Sequence, residues 1–204
     1  MRRSTAKIYT KVILLIFLLT ALLVALSLLN FEEGNNRLNS NFIFTKKVEK
    51  YRPLVEKYAA EHKIEEHVDT LLAIMMQESK GRGDDPMQSS ESLCGEVGCI
   101  DDPEKSIEQG VAYFAKALDA AGGDVTLAVQ AYNFGIGFIY YVNEKNEQFS
   151  QELAIQFSQE MYENAEDPSI YSCLRKGAKE LNACYGDIYY VRDVMGYKKA
   201  FVVK

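Results

Sequence analysis

The chain reads as a mainly α-helical globular domain carried on an amino-terminal membrane anchor, and three observations lead there. Apolar residues recur at helical spacing in one segment after another, opened by Asp, Ser or Pro and several of them closed by glycine. No run alternates apolar and polar residues for long enough to build a large sheet. One stretch, Val12–Leu29, holds 18 residues relieved only by Thr20 and Ser27, enough with its flanks to span a bilayer core. The 204 residues allow one domain of ordinary size plus this extra segment, and no internal repeat divides them.

Taken in order, residues 1–11 form a basic tail with Arg2, Arg3, Lys7 and Lys11, while Glu32 and Glu33 follow the apolar run. The positive-inside rule keeps such a tail in the cytoplasm and exports everything after residue 30. Ala25-Leu26-Ser27 is a passable cleavage site, so a signal peptide is the rival of an uncleaved anchor over residues 12–30. The length of the run, and its continuation through Leu28 and Leu29, favour the anchor. Residues 31–43, with Gly34 and four asparagines, read as a polar tether to a domain over residues 44–204. The formal net charge is −6, and residues 1–30 carry four basic and no acidic side chains, so the remainder carries −10. Phosphate binding needs a basic surface, which excludes nucleic acid as a partner and suits a neutral or cationic substrate.

Val48, Tyr51, Val55, Tyr58 and His62 mark the first helical face of the domain, with Pro53 either opening the helix or kinking it. The next helix runs from about Glu66 to Ser79 around Val68, Leu71, Leu72, Met75 and Met76. Residues 80–102 form a long loop with room for a short hairpin, and loops of that length are often functional. Asp102-Pro103 opens a helix with Ile107, Val111, Phe114 and Leu118 inside, ended by Gly122-Gly123. Asp124 caps a shorter one that Gly135 and Gly137 stop, and Ser150 starts another with Leu153, Phe157 and Met161. After Pro168 the pattern weakens until Ile188, Val191 and Val194 make a last face, closed by Gly196.

Four cysteines stand at 94, 99, 173 and 184. In an exported domain an even count in near pairs suggests disulfides, most simply Cys94 with Cys99 and Cys173 with Cys184, although three pairings are open. Zinc is the weaker alternative, since no C-x-x-C occurs and His62 and His67 stand elsewhere.

The stretch Met75-Met76-Gln77-Glu78-Ser79-Lys80-Gly81 ends an apolar helix on a carboxylate. Leu71, Ile74 and Met75 lie seven, four and three residues before Glu78, so the acid shares a face with the core stripe. Desolvation on that side disfavours the anion, raises the pKa and keeps some protonated carboxyl near neutrality, as a general acid requires. The competing reading is a solvated residue at a fraying helix end.

Glu78-Ser79 at a helix end, Pro86-Met87-Gln88, Ala131-Tyr132-Asn133-Phe134-Gly135 and Tyr190-Val191 resemble, in order and spacing, the four signatures of lytic transglycosylases and goose-type lysozymes. The wording is most similar to the lysozyme-like domain of wall hydrolases from Gram-positive conjugative elements, and the likeness covers Val48 to Gly196. It implies an α+β lysozyme-like fold and cleavage of the β-1,4 bond between N-acetylmuramic acid and N-acetylglucosamine in peptidoglycan. Glu78 matches the lone acid that protonates the glycosidic oxygen. Ser79 matches the residue after it, Gln88 a substrate contact with Ser89 beside it, Tyr132 and Asn133 the pair lining the cleft, and Tyr190 the tyrosine near the acid. Tyr189 could exchange roles with Tyr190. Only ten positions separate Glu78 from Gln88, so a serine usual in that loop has no counterpart here.

Hydrolysis and transglycosylation both stay open. Hydrolysis needs a positioned water, for which Asp84, Asp85 and Glu91 are candidates. No metal or organic cofactor is implied, because an acid and the substrate's own acetamido group suffice. Two classes of function follow. One is a membrane-anchored, single-pass glycosidase on the wall side of a Gram-positive cell, opening peptidoglycan for a secretion or conjugation complex. The other is a glycan-binding or scaffold module that keeps the fold without the reaction. A peptidase fails for lack of a Cys-His pair or an H-E-x-x-H helix.

Overall fold

Helical periodicity from residue 48 onward becomes helix almost throughout. The computed structural model describes residues 19–20, 45–173 and 175–202. The basic tail, the tether and the proposed anchor lie outside the described residues, apart from Leu19 and Thr20. Among the described residues no helix is long and apolar enough to cross a membrane.

Phe44–Lys204 forms one compact unit. A helical turn over residues 45–49 leads into α1 (Arg52–Glu61), and α2 (Val68–Glu78), α3 (Ser90–Cys94), α4 (Pro103–Ala120) and α5 (Val125–Phe134) follow. The chain continues through α6 (Gly137–Glu144), α7 (Gln151–Glu163), α8 (Lys176–Glu180) and α9 (Tyr190–Val202). The described residues contain no strand, so the α+β expectation is corrected to all-α. The long loop carries the short helix α3 where a hairpin had room.

Proline and side-chain caps set four of the helix starts. Pro53 sits in the first turn of α1 and so opens a helix, where its missing N–H costs nothing. Asp102 caps α4 by accepting from the Glu104 N–H, Asp124 caps α5 through Thr126 and Leu127, and Ser150 caps α7 through Leu153. Three departures have local causes. A 3₁₀ turn, Glu65–His67, precedes α2 and delays its start. Gly135 takes φ +85° and stops α5, but Gly137 then begins α6, so the glycine pair is a turn between helices. Gly196 lies inside α9 rather than ending it, its propensity cost of about 1 kcal/mol outweighed by the packing of that helix.

α2 is the hub. Leu71 to Met76 are all buried, because α1 packs on one side and α9 on another. α9 also meets α5, and α4 lies across α1, α3 and α5. Within the same core, Phe134, Phe138, Tyr141, Phe157 and Tyr185 pack with ring centroids 5.1 to 6.4 Å apart and tie α5 to α6 and α7. The cysteines pair as Cys94–Cys99 and Cys173–Cys184, clipping the loop around α3 and the segment before α9.

Candidate active site

Glu78 is the last residue of α2, with an enclosed apolar helix behind it and a polar hollow in front. The helix's negative end and the lack of water both disfavour an anion there. Burial pushes the Glu78 carboxyl up to about 7; a hydrogen bond from Tyr190 opposes the rise, and the charges of Asp85 and Asp187 add to it. The Tyr190 hydroxyl donates to Glu78 Oε1, which leaves the second oxygen to carry a transferable proton. Tyr190 itself is 1% exposed, and burial raises its phenol well above the usual value, so it remains a neutral donor. Tyr189 is excluded from this place, since its hydroxyl abuts Gly177 in α8 and Arg192 lies over its ring.

The loop after α2 is organised by Asp85. Its Oδ1 accepts from the Ser89 N–H at 2.9 Å and the Ser106 hydroxyl at 2.6 Å. Its Oδ2 accepts from the Ser90 N–H at 3.0 Å and hydroxyl at 2.6 Å. Burial alone would raise Asp85, but these bonds outweigh it and hold the carboxyl below its ordinary range. The result is a fixed negative charge in the hollow that also contains Glu78. Asp84 is exposed and lines no part of that hollow, whereas Glu91 stands at its open side.

Gln88 takes the left-handed conformation, φ +48°, and its Nε2 donates to the Asp85 carbonyl at 2.8 Å. That leaves its Oε1 as an exposed acceptor. Tyr132 on α5 donates to the Met87 carbonyl at 2.9 Å, and burial raises its phenol well above the usual value. Next to it, Asn133 Oδ1 accepts the Asp187 N–H at 2.7 Å, leaving the Asn133 Nδ2 donors for the groove. A second hollow shares Gln88, Glu91, Tyr132 and Asn133 with the first and extends over Tyr113 and Tyr185, so one continuous groove runs past Glu78.

The predicted residues thus divide. Glu78, Gln88, Tyr132 and Asn133 line the groove, Ser89 borders its second hollow, and Tyr190 supports the carboxyl from behind. The Ser79 and Ser89 hydroxyls are spent inside the protein. Ser79 is 8% exposed and donates to the Pro86 carbonyl at 2.7 Å, tying the helix end to the loop. Ser89 is 2% exposed and donates to the Ser106 carbonyl at 2.9 Å.

Several groups escape a reading of the sequence alone. Tyr113 packs edge-on against Tyr132, with ring centroids 5.6 Å apart, and Tyr185 donates to the Phe134 carbonyl. Tyr113 flanks the core stripe of α4, which carries no signal beyond an aromatic off the buried face. Gly110 does carry one, since a glycine kept inside a helix signals close approach. A Cβ there would meet Met87 Cβ at 2.7 Å and Tyr132 Oη at 2.8 Å.

Fold and site together define an all-helical domain that presents one carboxyl raised to about 7 and one held below its ordinary range in a polar, tyrosine-walled groove. Residues 45–198 match the Lysozyme-like family, and the chain belongs to that family. It is 42% identical over 152 residues to the bifunctional muramidase/DL-endopeptidase CwlT of Bacillus subtilis (strain 168), covering 74% of this chain and 42% of that one. The uncharacterized membrane protein YocA of the same organism is 35% identical over 162 residues, covering 77% of this chain and 71% of its own. A crystal structure from Staphylococcus aureus subsp. aureus Mu50, described as similar to a lipoprotein of the NLP/P60 family, superposes with a TM-score of 0.65. Its identity is 38%, over 74% of this chain and 52% of that one. The chain therefore spans less than half of the first relative's length.

Proposed function

We propose that this protein is a peptidoglycan glycosidase that cleaves the β-1,4 bond between N-acetylmuramic acid and N-acetylglucosamine, with Glu78 as general acid. The observation that carries this reading is the pairing of Glu78, raised to about 7, with an ionised Asp85 in one hollow. Two carboxyl groups whose surroundings push their titrations apart give one proton donor and one fixed anion. Glu78 gives its proton to the glycosidic oxygen as the bond breaks. Asp85, fixed by four donors and unable to turn away, offsets the positive charge that grows at the anomeric carbon. The Gln88 acceptor and the Asn133 donors are complementary to the N–H and C=O of an N-acetyl group, and Tyr113, Tyr132 and Tyr185 offer ring faces or edges to sugar. The Bacillus relative, a bifunctional muramidase/DL-endopeptidase, supports the same class.

The apolar run Val12–Leu29 and the membrane relative support a single-pass anchor, with the domain on the wall side of a Gram-positive cell. Tethering would confine cleavage to nearby glycan, which suits local opening of the wall for a secretion or conjugation apparatus. One observation keeps transglycosylation as a second reading. All four hydrogen-bonding positions of Asp85 are taken by serine groups, so its charge serves attack by the muramyl 6-hydroxyl as well as by water.

The test is to incubate the 204-residue chain and its Glu78→Gln variant with purified peptidoglycan and to weigh the released fragments. Reducing-end products from the wild type, reduced about 10²- to 10⁴-fold in the variant, are expected. Products lighter by one water would make it a lytic transglycosylase. A folded wild type that releases nothing from several wall types would overturn catalysis and leave a glycan-binding module.

A further inference from the structure

We propose that the Arg175–Asp187 ion pair is a positioning latch for the groove, holding Tyr190 and Asn133 in their working orientations and screening Glu78 from a second buried carboxylate. The inference rests on the reading of Glu78 as the acid.

Asp187 is 4% exposed, and each of its polar groups is spent on a different neighbour. Its N–H donates to Asn133 Oδ1 and so turns the Asn133 Nδ2 away from it. Its carbonyl accepts from Gln130 Nε2 at 3.1 Å and from the Tyr190 N–H at 3.1 Å. Its Oδ1 accepts the Tyr189 N–H at 2.9 Å, which fixes the start of α9 and with it the Tyr190 phenol on Glu78. Its Oδ2 takes the guanidinium of Arg175, Nη2 at 2.7 Å and Nε at 3.1 Å. The same Nη2 bridges to Asp193 Oδ2 on α9 at 2.7 Å. The Cys173–Cys184 disulfide joins the segment bearing Arg175 to the one leading into Asp187.

The charges around the acid give the latch a second effect. Glu78 faces Tyr190 from α9, Tyr132 from α5, Asp85 from the loop and Glu91 at the open side, and it feels the negative charge of Asp187. Asp187 in turn faces Arg175 and lies near Asp193, which is itself bonded to Arg192 on α9. A buried carboxylate stripped of its cation acts on its neighbours at full strength, because little solvent screens it. Arg175 and Asp187 are therefore positioning residues, and they oppose each other in their effect on Glu78.

The test is a carboxyl ¹³C NMR titration of Glu78 in the 204-residue chain and its Arg175→Gln, Arg175→Lys and Asp187→Asn variants. Removing the guanidinium exposes the Asp187 charge, so Glu78 should titrate about half a pH unit higher in Arg175→Gln. Removing the carboxylate charge, with an amide that still caps Tyr189, should lower it by a similar step. Arg175→Lys should stay close to the wild type. Both Arg175→Gln and Asp187→Asn break the charged tie between the two residues, and a merely structural tie would let water in and move Glu78 the same way in each. Shifts in one direction, or none, overturn the latch. If Arg175→Gln does not fold, a rise or no change in Asp187→Asn still overturns it. The alkaline limb of wall cleavage should follow the same order. Titrations that shift as expected, with a limb that ignores them, would keep the latch and sink Glu78 as the acid.

Discussion

At the scale of single residues, the placement that suits Glu78 to its proposed role carries an energetic cost. The unfolded chain ionises it near 4.5, whereas the folded protein raises it to about 7. A carboxyl raised on folding contributes stability below the unfolded value and loses it as pH rises through the folded value. Above about pH 7 the folded protein therefore carries a penalty of about 3 kcal/mol. Glu78→Gln removes the charge while keeping an oxygen to accept from Tyr190. The variant should melt close to the wild type near pH 4.5 and several degrees above it near pH 8.5, as calorimetry would show. A constant difference across that range would mean that the acid is not desolvated. The apolar spacing before Glu78 made this residue legible in the sequence. Asp85 was only one of three acids in a loop, because the donors that distinguish it include Ser106, twenty-one residues away on another helix.

At the scale of elements, what was legible followed local chemistry. Asp102-Pro103, Asp124 and Ser150 announce their helices because a cap depends on its own next three residues. The path of α9 through Gly196, the start of α6 at Gly137 and the short helix α8 depend on what packs against them, which periodicity does not contain. The groove is likewise a product of approach between elements. α4 reaches the Met87–Tyr132 contact through Gly110, where a Cβ would come within 2.7 Å of Met87 Cβ, 2.8 Å of Tyr132 Oη and 2.9 Å of Met87 Cε. Alanine normally strengthens a helix by about 1 kcal/mol over glycine. Here the clash should reverse the sign, so Gly110→Ala should destabilise the domain by about 1 to 3 kcal/mol in urea unfolding. It should also weaken wall cleavage, since the Tyr132 hydroxyl must leave the Met87 carbonyl. A stabilised variant would show that α4 shifts freely.

At the scale of the whole molecule, Glu78 sits inside a strongly negative field. Residues 31–204 carry a formal −10, and such a potential retains protons on every carboxyl it reaches. Glu78 feels two specific members of that field, Asp85 and Asp187, on top of its burial. The proposed reaction needs Glu78 protonated and Asp85 ionised, and these conditions overlap from below the ordinary aspartate range up to about 7. The rate on purified glycan should therefore be flat through mildly acidic pH and fall about tenfold per unit above the alkaline limb. The Debye length shrinks from about 10 Å at 0.1 M salt to about 3 Å at 1 M, so added salt screens the distant acids and leaves the desolvation of Glu78 untouched. Raising the salt should move the alkaline limb down by a few tenths of a pH unit, without bringing it to the value of a free carboxylate. Profiles of glycan cleavage against pH at low and high salt, on soluble oligomers of alternating N-acetylmuramic acid and N-acetylglucosamine that exclude effects on the wall, would measure this. A limb that collapsed to about 4.5 in salt would assign the raised acid to the surface field instead of to burial at the end of α2.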